Sequence, residues 1–444
     1  MKNKYKILLP IFLGSVLSFS QETKSLSLKE AVSLGIENNK MLKAAESQVR
    51  ASEKKLKSTK ILQYPDLNIS SQYLHLFDTT DVDLKIGGQN ENSEGGEENA
   101  SAANLPKPSY MLLGMASISM PVFNGFKLKN SIRQSEYAVN LSRIESEAQK
   151  EDVVYQILQL YFSLYKTKKS LEVLNENKKR AEKRVVDFKS FMDNGLLARN
   201  DYLRSTLQVS NIKLAIEEAH TTYENLNYQL GVLLGLPETT QIEVDDIENL
   251  PVLPSEETDF SQRKDIRSQE EKTKIAEAQI KIEKAGYYPS LSISGGYAAL
   301  ELDDIATVTN ATNIGIGLSY NLSSIFKNKS KVEEAKAAKS VQEALLEAEK
   351  DRAKVEIRKA YNDYNLAVKK EEVFEEALEQ ADENYRIVKD KYDNGLADTD
   401  QLLEADIEEL QAQINQTIGE ADIQLALYQY VYTQGKLTEV LQLQ

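Results

Sequence analysis

The chain has 444 residues, a formal net charge of −15, 28% charged and 7% aromatic residues, no cysteine and no tryptophan. It lacks the basic footprint of a nucleic-acid binder. Without cysteine it has no disulfide framework, thiol chemistry, cysteine metal site or N-terminal lipid on cysteine. Long stretches of Ala, Glu, Lys, Leu and Gln point to extended helices or coiled coils rather than several globular domains.

Residues 1–20 read as an export signal. Lys2, Lys4 and Lys6 form a basic start, Ile7 to Phe19 an apolar run, and Ser18 and Ser20 are the small residues of a cut after Ser20. As a helix that run would span only about 20 Å of a bilayer core about 30 Å thick. No later segment approaches the uninterrupted apolar length of a transmembrane helix.

A first helical stretch is expected from Ser27 to Leu62, then a long helix from Lys127 to Met192, about 100 Å if unbroken. Proline costs about 3 kcal/mol inside a helix, and none lies between Phe126 and Leu236 or after Pro289. Gly195 supplies a left-handed stop, and a return helix runs from Asn200 to Leu234. The plan then repeats with a helix from Ser261 to Ala285, a long helix from Lys327 to Tyr392, a Gly395 turn and a return helix to Leu437. Asp398, with Gln401 three residues on, has capping-box spacing. Leu403, Ile407, Leu410 and Ile414 read as a coiled-coil seam, partly repeated by Leu203, Leu207 and Leu214.

Asp193-Asn194-Gly195-Leu196 recurs 200 residues later as Asp393-Asn394-Gly395-Leu396, and Phe126-Lys127 recurs at the same offset as Phe326-Lys327. The chain is a tandem duplication of one helical hairpin. Its divisions are a signal (1–20), a first repeat (21–236), a Pro- and acid-rich linker (237–259) and a second repeat (260–444).

Between the helices the apolar period changes from 3.6 to 2. Leu291, Ile293, Gly295 and Tyr297 alternate with serines and Gly296, and Ile314, Ile316, Leu318 and Tyr320 alternate with Asn, Gly and Ser. Leu67, Ile69, Tyr73 and Phe77 mark a third strand, and residues 110–122 a fourth. The loop from Asp78 to Ser109 is long and holds Glu91, Glu94, Glu97 and Glu98; its counterpart, Leu300 to Asn310, is short. The first is an exposed, solvated loop tolerant of insertion. Such strands fit either a membrane β-barrel or a small soluble sandwich with its apolar face on the helices. Four strands cannot close a barrel, so in a membrane several copies must share one.

The segments Leu26-Ser27-Leu28-Lys29-Glu30-Ala31, Tyr64-Pro65-Asp66-Leu67 and Ala285-Gly286-Tyr287-Tyr288-Pro289-Ser290-Leu291, with the two glycine turns, resemble the TolC-like outer-membrane efflux proteins. The resemblance covers essentially the whole mature chain. It implies a mainly α fold with a β-barrel part. Duplicated helical hairpins would form a periplasmic α-barrel. Four strands per protomer would contribute to a 12-stranded outer-membrane β-barrel in a homotrimer. The linker would lie in an equatorial belt and the strand loops outside the cell.

As implied by the resemblance, the turns Asn194-Gly195-Leu196 and Asn394-Gly395-Leu396 are tips that dock on a periplasmic membrane-fusion adaptor. That adaptor joins an inner-membrane transporter of RND, ABC or MFS type, in efflux or type I secretion. Asn-Gly is also ordinary turn chemistry, which suffices to reverse the chain. Two aspartates ring the entrance of the resembling channels, and alignment on Gly395 places Gln401 and Glu404 there. Only Glu404 keeps the charge; Asp398, Asp400 and Asp406 are nearby substitutes. A ring of carboxylates would favour cations.

No catalytic constellation, nucleotide motif, cofactor motif or metal motif is recognisable, and His75 and His220 lie far apart in sequence. A reading from another class is a periplasmic coiled-coil scaffold or adaptor. That would ordinarily carry one helical hairpin flanked by compact β domains.

Overall fold

The computed structural model describes residues 23–77, 108–246, 260–303 and 305–442. The expected signal, the four loop glutamates and the linker from residue 247 onward lie outside the described residues. The chain divides into two compact units, Met1–Glu46 with Glu145–Arg267 and Ala348–Gln444, and Ser47–Ile144 with Ser268–Glu347.

The elements run β1 (Thr23–Leu26), α1 (Leu28–Asn38), α2 (Lys40–Ile61), β2 (Asp66–His75), β3 (Tyr110–Asn124), α3 (Lys127–Asp193) and α4 (Arg199–Leu233). They continue with β4 (Gln241–Val244), α5 (Lys264–Lys284), a 3-10 turn (Ala285–Tyr287), β5 (Ser290–Leu302), β6 (Ala306–Ser319), α6 (Leu322–Asp393), α7 (Thr399–Thr433) and α8 (Leu437–Val440).

Most helical bounds fall close to the sequence expectation, with three differences. The first stretch is two helices, because Asn39 breaks it. Its Oδ1 accepts from the amides of Met41 and Leu42 at 2.8 and 3.3 Å, capping α2. α6 begins at Leu322, five residues ahead of Lys327. The third difference is the seam of the return helices. Leu203, Leu207 and Leu214 are 51%, 61% and 59% exposed and Ile407 is 54% exposed. Leu403 of the expected seam is buried and Leu410 and Ile414 are half-buried, but Leu402, Asp406, Glu409 and Ala412 share the buried face of α7, and on α4 the buried positions are Ser205, Gln208, Val209 and Ile212. Polar side chains share this seam with apolar ones, so apolar periodicity reports only part of it.

In the first unit the core gathers Ile157, Leu158, Tyr161, Phe162 and Leu164 of α3 with Leu230 of α4, Ala31 and Val32 of α1, and Tyr428 and Val431 of α7. β1 and β4 pair in parallel beside it, Leu26 opposite Val244. This pair falls partly inside the segment expected to be a linker. The Asn227 side chain completes the ladder, donating to the Ile242 carbonyl at 2.7 Å and accepting from its amide at 3.1 Å. The Tyr161 hydroxyl donates to the Leu26 carbonyl at 3.0 Å.

The second unit holds an antiparallel sheet in the order β2-β3-β5-β6. The strands continue to Leu302 and resume at Ala306, so the second loop is shorter than the expected Leu300–Asn310. Opposed residues in antiparallel strands share a face. One face carries the rows Leu67–Ile118–Gly295–Ile314 and Ile69–Ala116–Tyr297–Thr312, with Ile293 and Ile316 below them. The other carries Asn68–Ser117–Gly296–Asn313 and Asp66–Ser119–Ser294–Gly315. Toward the loops it turns apolar, with Leu113 opposite Leu300 and Met111 opposite Leu302.

Among the described residues nothing covers the apolar face. Leu67, Ile69, Ile314, Ile316 and Leu318 are 67%, 76%, 86%, 74% and 72% exposed. This arrangement is not a sandwich packed on helices. Along β5 the face extends from Leu291 to Glu301, which at about 3.3 Å per residue and a tilt of about 40° gives a band about 25 Å tall, the height of an outer-membrane barrel's lipid face. No described helix is long and apolar enough to cross a membrane.

Candidate functional site

The two turns have the same geometry. Gly195 and Gly395 have φ of +74° and +73°. The Gly195 amide donates to the Met192 carbonyl at 3.0 Å and the Leu196 amide to the Phe191 carbonyl at 2.8 Å. Gly395 and Leu396 repeat both bonds, to Tyr392 at 2.9 Å and Lys391 at 2.7 Å. This is the Schellman closure, which satisfies the last carbonyls of the helix and requires a left-handed residue. Asn194 and Asn394 add side-chain bonds to the carbonyls of Ser190 and Asp390, at 2.8 and 2.7 Å. A side chain at either glycine would meet nothing within 4 Å, so conformation alone demands glycine there. Leu196 and Leu396 are 77% and 79% exposed, which leaves each turn with one apolar side chain projecting from a rigid backbone.

The helices that leave the two turns start differently. α4 starts at Ala198 with no side-chain cap, whereas α7 starts at Asp398 with a full capping box. The Gln401 amide donates to Asp398 Oδ1 at 2.9 Å and the Asp398 amide to Gln401 Oε1 at 3.2 Å. Gln401 is therefore committed to the cap. Glu404 lies on the exposed side of α7. Asp400 pairs with Arg204 of α4.

Asp406 is 1% exposed and sits in a charge cluster joining both hairpins. Its Oδ1 accepts from Arg184 of α3 at 2.7 Å and its Oδ2 from Gln208 of α4 at 2.7 Å. Arg184 also donates to the Tyr385 hydroxyl of α6 at 3.3 Å. Beside it, Arg180 pairs with buried Glu409 at 2.8 Å and lies 5.9 Å from the Tyr385 ring centre. Burial opposes the charge on Arg184, but the Asp406 carboxylate more than offsets this and holds the guanidinium above its ordinary pKa. One cluster thus ties α3, α4, α6 and α7 just above the turns. From sequence, Asp406 stands only as a substitute pore carboxylate, and Arg184 is not singled out. The available signal was phase: Arg184 lies between Ala181 and Phe188, both buried, at helical spacing.

Elsewhere in this unit a cavity of about 480 Å³ is lined by Glu151, Arg263, Lys264, Asp265, Arg352 and Glu356 among others. Several of its charges pair with one another; Arg263 reaches Asp265 and Glu356, each at 2.6 Å. Burial pushes the Glu151 carboxyl up, against the opposing pull of Lys264 at 3.8 Å. His220 pairs with Glu224 at 3.4 Å, and His75 packs edge-on against Phe77. Among the described residues no group of three or more His, Cys, Asp or Glu side chains is arranged to hold a metal ion.

Comparison with known proteins agrees with this architecture. The model of the outer membrane efflux protein family matches residues 31–236 and 260–430. No curated protein sequence matches. Among solved structures, the outer membrane protein VceC of Vibrio cholerae superposes with a TM-score of 0.77 at 15% identity, over 92% of this chain and 96% of that one. A membrane protein from Pseudomonas aeruginosa gives 0.80 at 16% identity, over 92% and 90%. The CmeC outer membrane channel of Campylobacter jejuni gives 0.76 at 18% identity, over 92% and 86%. With a helical part, a four-stranded sheet whose apolar face is uncovered among the described residues, and a family match over most of its length, the chain belongs to the outer membrane efflux protein family, whose members are exit channels of the Gram-negative outer membrane.

Proposed function

We propose that this channel works as a homotrimer, passively conducting substrates from a periplasmic membrane-fusion adaptor and an inner-membrane pump to the exterior. The observation that carries the assembly is the sheet. Among the described residues its apolar face is uncovered and its two edges, β2 and β6, are unpaired. In lipid each unpaired edge would leave its amides and carbonyls unsatisfied, so β6 of one copy must pair with β2 of the next. Three copies close twelve strands and contribute twelve long helices to the periplasmic part.

The exposed turns at Asn194-Gly195-Leu196 and Asn394-Gly395-Leu396 are the adaptor contacts in this reading. Glu404 supplies the carboxylate ring of the entrance, and Gln401 stiffens the helix start beside it. The Arg184–Asp406 cluster holds the two hairpins together there and is the contact that opening must break. Residues 1–20 act as the export signal and 237–259 as part of a belt. The uncovered apolar face supports a channel over a soluble periplasmic scaffold. Migration of the outer-membrane protein as an SDS-resistant, heat-dissociable trimer tests the proposal. Recovery as a monomer in the soluble periplasmic fraction would overturn it.

A further inference from the structure

The charge of this chain is unevenly placed. Its net charge is −15, yet three of the four helix ends next to the sheet are basic, the fourth, that of α5, carrying Lys281, Glu283 and Lys284. Residues 54–65, leading into β2, hold four lysines and no acid; residues 125–135, after β3, hold three bases and no acid; residues 320–332, after β6, hold three lysines and no acid. α2 ends at Ile61, just ahead of β2 at Asp66, and α3 and α6 begin within three residues of the preceding strands. Lys55, Lys57, Lys127, Lys129, Lys327 and Lys329 are all exposed, and none forms an ion pair among the described residues. Lys60, by contrast, pairs with Glu136 at 3.1 Å.

Aromatic side chains separate these lysines from the apolar band. Phe123 packs against Phe126 with ring centres 5.2 Å apart, and both lie 6.4 Å from Tyr288. Phe126, Tyr288, Tyr64 and Phe326 are 53%, 53%, 69% and 83% exposed. Exposed rings at the end of an apolar band mark the membrane–water interface. Headgroups occupy about 5–8 Å beyond the hydrocarbon. At about 1.5 Å per residue, Lys127, Lys129, Lys327 and Lys329 stand within roughly 5 Å of Phe126 and Phe326 along their helices, and Lys57 and Lys55 about 10–14 Å from Tyr64, between one and two Debye lengths at physiological salt.

We infer that these lysines form a collar that binds the acidic phospholipid headgroups of the leaflet on the helix side of the membrane. The inference rests on the reading that the sheet's apolar face meets lipid. The carboxylates near this level are few: Asp66, Glu136 paired with Lys60, and Glu283 bonded to Gln279; among the described residues none pairs with the six lysines, which leaves lipid phosphates to meet them. Each lysine near an anionic surface favours it by about fivefold, so the assembled channel enriches phosphatidylglycerol over phosphatidylcholine.

The test uses full-length channel in nanodiscs of equal parts phosphatidylglycerol and phosphatidylcholine, with retained lipid counted by native mass spectrometry. Wild type should retain the anionic lipid in several-fold excess. A variant combining Lys55→Gln, Lys57→Gln, Lys127→Gln, Lys129→Gln, Lys327→Gln and Lys329→Gln should fall to near parity. Lys179→Gln/Lys183→Gln/Lys189→Gln, far along α3, should leave the excess unchanged. Equal retention by wild type and the collar variant, with both inserted in the bilayer, overturns the inference alone. So does loss of binding to purified cell wall with lipid retention unchanged, which would assign the collar to that polymer. Failure of wild type to enter lipid at all overturns the membrane reading as well.

Discussion

Replacing Asp406 by Asn removes one charge from a site where Asp406 is 1% and Arg184 9% exposed. The amide keeps the shape but leaves Arg184 buried without its counter-ion and loses one acceptor for Gln208. Breaking one side of a buried ion pair costs about 3–5 kcal/mol, and near-isosteric Asn places the effect toward the lower end. At about 1.4 kcal/mol per tenfold, the population with the hairpins parted at this level rises roughly a hundredfold. Hydrogen exchange of the α7 amides between Leu402 and Ala412 reads this directly as a local opening free energy. The paired change Arg184→Met/Asp406→Leu removes both charges and should restore protection to near wild type. A change below about 0.5 kcal/mol in Asp406→Asn, as for a solvated pair, would refute the reasoning.

Gly195→Trp or Gly395→Trp should abolish efflux while leaving the SDS-resistant trimer intact; normal efflux in both variants removes the turns as docking sites. The left-handed backbone adds a local cost of about 1–2 kcal/mol, so circular dichroism serves as the folding control. Glu404→Gln should lower the preference for cations, measured as a shift in reversal potential across a salt gradient, and an unmoved potential would exclude a gate role. Ile314→Arg, at mid-band on the apolar face, should impede insertion into vesicles by about 2–4 kcal/mol, while Asn313→Arg on the other face is tolerated. Equal insertion of the two would reverse the assignment of faces. Glu151 has its pKa raised by burial, so folding disfavours its ionised form. That cost is absent in acid below the ordinary carboxylate range and appears as pH rises through the raised pKa. Glu151→Gln should therefore raise Tm at pH 7.5 and change it little near pH 4; a pH-independent difference would contradict this.

The sequence carries the long helices and the sheet plainly because each depends on local rules. Proline is absent from the spans that became α3 and α6. Gly195 and Gly395 sit where a left-handed residue closes each helix. Alternation at Leu291–Tyr297 and Ile314–Tyr320 marks β5 and β6. The features that escaped depend on partners distant in the chain. β1 and β4 are four residues each and acquire meaning only when Thr23–Leu26 meets Gln241–Val244. Leu203, Leu207 and Ile407 gave a convincing heptad phase, yet the buried faces of α4 and α7 turn Gln208 and Asp406 inward, because Arg184 of α3 meets them there. The same contact explains why Asp406 is a tie between hairpins rather than an open pore carboxylate. Asn39 escaped because its cap is a side-chain bond inside an otherwise helical pattern.

The most direct test of a continuous, gated channel is single-channel recording of the purified protein in planar bilayers, comparing wild type with Asp406→Asn. Under the proposal, discrete conductance steps are expected from both, larger or longer-lived in Asp406→Asn. Correctly assembled protein that yields no steps in either form would contradict it.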